Sequence, residues 1–155
     1  MLMLFLLCTT THSQTNTTYN KKYTWSKKPQ IVLCDDAKVN KKDVELAMNF
    51  WKQNSLSMRN SLIIKKCEKT HRQGEIRFTH QRDLDTDAYY AFTVRDINYT
   101  ESEMIAATIL IEDTESNNIS LIVHELGHAL GLNHTNDDVH HIMHKHFIMD
   151  DTRFR

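Results

Sequence analysis

Apolar positions change their spacing along the chain, and each change marks an element. Ile31-Val32-Leu33-Cys34, following the single Pro29, is a continuous apolar run with the length of a buried strand. From Val39 to Asn54 the spacing becomes helical. Val44, Ala47, Met48 and Trp51 share one face, Asn40 is placed to cap, and Asp43 favours the N-terminal dipole. Leu62 to Cys67 and Glu75 to Thr79 read as strands on either side of a charged turn at Gly74. Ala88 to Val94 and Ile105 to Glu112 supply two more β-rich runs. Asn117 to Leu132 is then a second helix, with Leu121, Ile122, Leu126, Ala129 and Leu130 available to pack. The strand-helix-strand order favours parallel pairing. No internal repeat or low-complexity block interrupts this plan.

The chain before Pro29 has a different pattern. MLMLFLLCTTTHSQT is an apolar stretch followed by small polar residues, the form of a secretory signal over residues 1–13. It has no basic start and is too short to span a bilayer. Leu7-Cys8 also offers an acylation cysteine, but the large Leu7 makes ordinary cleavage the better reading. Residues 14–28 are polar and aperiodic and read as an extended or loose arm whose end Trp25 anchors, which leaves 29–155 as one domain.

At 155 residues, 40% hydrophobic and 25% charged, the chain is expected to fold as one soluble module acting as a monomer. Its net charge of -1 creates no field for nucleic acid or an anionic membrane. With the leader removed, Cys34 and Cys67 remain. They form a disulfide in an oxidising compartment if two neighbouring parallel strands end together, or equally serve as two small buried hydrophobes.

Ten histidines is a high count, and eight of them lie from His80 onward. The decisive segment is His124-Glu125-Leu126-Gly127-His128-Ala129-Leu130-Gly131-Leu132-Asn133-His134, which fits H-E-x-x-H-x-x-G-x-x-H at every specified position. Residues four apart share a helix face, so His124 and His128 aim at one ion with Glu125 alongside. Gly131 lets the helix stop and turn sharply to bring His134 round as third ligand. Three imidazoles with an open position suit Zn²⁺, and Glu125 is then the base and acid for peptide hydrolysis. The competing readings are a closed zinc site or a histidine-rich helix without metal, and the third histidine with its glycine favours the catalytic arrangement.

With this motif the chain resembles the metzincin clan of zinc endopeptidases. Met143, nine residues beyond His134, fits the methionine turn that lies below the metal in that clan. Thr135 after His134 looks more like the matrixin pattern, and the resemblance covers roughly residues 25–149. It implies an α+β fold: a five-stranded mixed twisted sheet, a backing helix, an active-site helix and a small C-terminal subdomain with the Met-turn. It also implies that an extended peptide adds to an antiparallel edge strand, here through Tyr89, Ala91 and Thr93, with Leu121 near the primary specificity pocket. An ordinary protected edge fits the same residues. Against the clan pattern, no cysteine-switch prosegment precedes the first strand, Lys145 stands where some members have a tyrosine, and the C-terminal helix is short.

Other polar clusters are weaker. Asp83, Asp85 and Asp87 can hold Ca²⁺ as in family members, although a solvated acidic turn is the better reading. His140, His141, His144 and His146 can bind a second metal, although an accessible polar loop is the better reading; His80 is read as non-catalytic, and the sequons at Asn16, Asn98, Asn118 and Asn133 carry no functional claim. The expected function is zinc endopeptidase, acting on protein or peptide substrates outside the cytoplasm. The alternatives are an inactive zinc-containing peptide-binding module and a metal-dependent hydrolase of a non-peptide amide.

Overall fold

The computed structural model describes residues 19, 21–68, 72–80, 91–112, 118–136, 138–146 and 154. Strand β1 is Gln30–Cys34, helix α1 is Lys41–Gln53, and β2 and β3 are Leu62–Lys65 and Glu75–His80. Strands β4, Ala91–Asn98, and β5, Glu103–Ile111, precede helix α2, Ile119–Ala129. The sheet runs β2-β1-β3-β5-β4, with β1, β2, β3 and β5 parallel and β4 antiparallel on the edge beside β5. The expected five-stranded mixed sheet with two helices is therefore present.

Every residue of β1 is buried, because a parallel strand flanked on both sides and covered by helix has no solvent face. Asn40 caps α1 by accepting from the backbone N–H of Lys42 at 2.9 Å. The face that carries Val44, Ala47, Met48 and Trp51 is buried, as the helical spacing predicts. Trp51 is fully buried and donates from Nε1 to the carbonyl of Val123 at 2.8 Å, so α1 fixes the position of α2 by a directed bond as well as by packing.

Boundaries shift where the apolar pattern is a poor guide. β2 ends at Lys65, so Cys67 lies two residues beyond the strand instead of closing it. β4 continues past Val94 to Asn98, and β5 begins at Glu103 rather than Ile105, because the backbone ladder extends through polar residues near their hairpin. α1 begins at Lys41, with Asn40 as its cap, and α2 ends at Ala129, before Gly131 reverses the chain.

Of the two readings left open for the cysteines, pairing is realised. Cys34 and Cys67 form a disulfide with their Cα atoms 5.3 Å apart. Such a bond persists in oxidising surroundings. No helix among the described residues is long and apolar enough to cross a membrane.

From Lys21 onward the arm is not loose. Lys21 bridges to Leu132, Thr24 bridges to Glu103, and Trp25 Nε1 donates to the carbonyl of Ala129 at 3.0 Å. The 1–13 leader, Cys8, Asn16, Asp83, Asp85, Asp87, Tyr89 and the start of the second helix at Asn117 lie outside the described residues.

Candidate metal centre

Helix α2 is capped by Asn118, whose side chain accepts from the N–H of Leu121 at 3.1 Å. His124 and His128 follow one turn apart. The helix ends in a Schellman turn: Gly131 N–H reaches the carbonyl of His128 and Leu132 N–H that of Gly127, each at 3.0 Å. Gly131 has φ +99°, and a Cβ there would run into the carbonyl oxygen of Tyr23. A side chain at this position meets both a strained backbone and a wall, so the turn toward His134 requires glycine.

The three Nε2 atoms form a near-equilateral triangle. His124 to His128 and His128 to His134 are 3.1 Å, and His124 to His134 is 3.2 Å. The contact between His124 and His128 is not a hydrogen bond between the rings. Nδ1 of His124 lies 2.6 Å from the carbonyl oxygen of Ile142, and Nδ1 of His128 lies 2.9 Å from that of Leu132. A carbonyl only accepts, so each Nδ1 carries the proton and each Nε2 presents a lone pair. Lone pairs brought this close need a shared electrophile, and donors each about 2 Å from one divalent ion adopt this spacing. The three histidines are thus positioned to bind a metal ion, and no other such group occurs among the described residues.

The electrostatics suit that role. Burial pushes His124 down to about 3, helped by the charges of His128 and His134 and opposed by the Ile142 carbonyl. Burial likewise lowers His128 to about 4, and it lowers His134 with help from Lys145 and Arg95. All three rings are held in the neutral form that ligates metal. Glu125, only 5% exposed, moves the other way. Burial raises its carboxyl to about 7, against the hydrogen bond from Thr93 and the charge of Arg95.

Met143 is buried beneath α2, where a Cβ on Gly127 would stand 2.5 Å from its Sδ and 2.7 Å from Trp51 Cζ2. The turn that carries it is held by Thr135 N–H to the Met143 carbonyl at 2.9 Å, and it presents the Ile142 carbonyl to His124. Thr93, on β4, donates its hydroxyl to Glu125, and Ala91 is buried two residues before it. Leu121 is buried in the core one turn before His124. His141 accepts the Met143 N–H and so belongs to the turn's own scaffold, while His140 and His146 are exposed.

Three contributors escaped the sequence reading. Gly127 occupies an unspecified place in the motif, although a glycine inside a helix costs about 1 kcal/mol relative to alanine and so asks for a packing reason. Tyr23 acts through its backbone. Arg95 lies beyond the predicted end of its strand. The chain matches no protein-family model, and no curated protein matches it either.

Proposed function

We propose that the protein is a zinc-dependent endopeptidase of metzincin type, matrixin-like and minimal, with His124, His128 and His134 as ligands and Glu125 as general base and acid. The observation that carries this reading is the convergence of three Nε2 atoms, two of them fixed as lone-pair donors, beside a buried carboxyl raised to about 7. Zinc on an N₃ set supplies a Lewis acid that acidifies water and polarises a peptide carbonyl. Glu125 then takes a proton near neutral pH and returns it to the departing amine, which is why a carboxyl with an ordinary acidity is the wrong tool here.

The buried Met143 turn and the antiparallel edge of β4 support the metzincin resemblance. An edge strand has free backbone groups, to which an extended peptide can add beside Glu125. The Cys34–Cys67 disulfide supports export. A buried carboxyl of raised pKa has no use in a closed structural zinc site, which weighs against an inactive binding module.

The test is digestion of a peptide library by the zinc-loaded chain, with and without chelator, beside Glu125→Gln. Cleavage should vanish with chelator. It should fall by roughly 10²–10⁴-fold in Glu125→Gln, the range of general acid–base contributions, while zinc content is retained. A Glu125→Gln protein as active as the wild type sinks the mechanism. Retained zinc with no cleavage by the wild type favours the peptide-binding module, and hydrolysis confined to non-peptide amides favours the third reading.

A further inference from the structure

On β4 the side chains alternate, and the bulge between Asp96 and Ile97 comes only after Arg95. Thr93 and Arg95 therefore share a face, and Thr93 puts that face on Glu125 at 2.6 Å. Arg95 follows roughly 7 Å further along the strand, two residues at the usual rise.

Its guanidinium is held from one side. Its Cζ lies 5.5 Å from the ring centroid of Tyr23, whose own backbone is pinned against Gly131. Nη1 is buried and meets no hydrogen-bond acceptor among the described residues. No carboxylate among those residues forms a salt bridge with Arg95. A half-buried guanidinium with an unused donor is costly unless an anion completes it.

Apart from the Glu125 carboxyl, on which the charge of Arg95 acts, the surroundings carry the same sign. The charges that act on the three ligand histidines come from one another and from Arg95, Lys145, His144 and His146, all basic. In a chain of net charge -1, Arg95 and Lys145 are a local concentration of positive charge beside the three histidines.

We infer that Arg95 is an anion subsite of the cleft, which receives a carboxylate of the peptide substrate close to the hydrolysed bond. The inference rests on the peptidase reading. A substrate paired to β4 in register puts the side chain opposite Arg95 on the same face as Arg95. That side chain lies two residues from the one opposite Thr93 and Glu125. A planar fork of donors matches a carboxylate there better than it matches any neutral side chain. The carboxylate comes from an Asp or Glu side chain or from the substrate's own C-terminus.

The experiment uses zinc-loaded full chain and a peptide library varied in Asp, Glu, Gln and Lys on both sides of the cleaved bond, with free and amidated C-termini. Wild type is expected to favour an acidic group at one position by roughly tenfold or more in kcat/KM, the scale of a charge-assisted hydrogen bond. Arg95→Gln should erase that ratio and Arg95→Glu should reverse it toward Lys, with zinc content and melting temperature as controls on folding. Binding is read separately in Glu125→Gln protein, where adding Arg95→Gln should weaken an acidic peptide about tenfold relative to its Gln counterpart. Loss of the preference on amidation assigns the carboxylate to the C-terminus. Persistence assigns it to a side chain. Cleavage by the wild type without acidic preference, or a preference that survives Arg95→Glu, overturns this inference alone. No cleavage of any peptide overturns the peptidase reading with it.

Discussion

The hydroxyl of Thr93 stands 2.6 Å from Oε2 of Glu125 and 3.0 Å from the backbone oxygen of the same residue. A hydroxyl has one proton and serves one acceptor at a time. With Glu125 ionised, Thr93 donates to the carboxylate. With Glu125 protonated, the carboxyl donates to Thr93 Oγ1, and the hydroxyl turns to the backbone oxygen. Both protonation states keep a partner, which suits a group that takes and releases a proton.

Thr93→Val is isosteric and removes that partner. The hydrogen bond lowers the Glu125 pKa, so its loss should raise it further above about 7, by about one unit if the bond contributes about 1.4 kcal/mol. In kcat/KM against pH, the acid limb of the zinc-loaded protein should move to higher pH. An unmoved limb means that Thr93 does not hold Glu125.

The metal-free protein should lose stability in acid. His124 at about 3 and His128 at about 4 refuse protons that the unfolded chain accepts from about 6.5 downward. Their stabilising effect is full above that pH and declines by up to about 1.4 kcal/mol per group per pH unit as pH falls toward their folded values. Glu125 opposes this. Its pKa is raised from 4.5 to about 7, so the folded state gains as pH falls through that window. Two histidines outweigh one carboxyl, and melting temperature should drop between about pH 7 and pH 5. A flat profile would speak against buried neutral imidazoles. Added zinc should raise melting temperature near neutrality and do less in acid, where protons compete for the rings.

Gly127→Ala tests the packing beneath the three histidines. The added Cβ meets a flexible Met143 end, but it also meets Trp51, which is rigid and bonded to Val123. Overpacking of about 1–3 kcal/mol should exceed the gain of about 1 kcal/mol in helix propensity. The expected result is a lower melting temperature and weaker metal binding, since the displaced turn carries the Ile142 carbonyl that orients His124. A stabilised variant would show that the turn yields freely.

Replacing Cys34 and Cys67 together by Ala should cost about 2–4 kcal/mol in denaturant melts run without reductant. β2 is the edge opposite β4, so zinc content should be unchanged. Loss of metal in this variant would tie the bond to the site.

The motif was legible because five specified positions fall within eleven consecutive residues, and helix geometry alone brings His124, His128 and Glu125 together. The face of α1 and the core of β1 were legible for the same reason: local period reports burial. The far half of β4 was not. Its Arg95, Asp96 and Asn98 lie on an edge strand, which tolerates polar side chains, and a bulge breaks the alternation while the backbone ladder continues. The Thr93–Glu125 pair spans 32 residues, which no local pattern encodes. The arm's attachment to Leu132 and Glu103 uses backbone groups, which every sequence carries alike.

That attachment also orders events in time. Trp25 reaches Ala129 across 104 positions, and Lys21 waits for Leu132. During synthesis the arm is made long before Glu103, Ala129 and Leu132, the residues it must meet. Contacts of such long sequence separation form late, after the loop they close has been collapsed by nearer ones. The wall that Tyr23 sets against Gly131 therefore forms only after the strands and helices between them are available, and the turn toward His134 belongs with the long-range contacts of the fold.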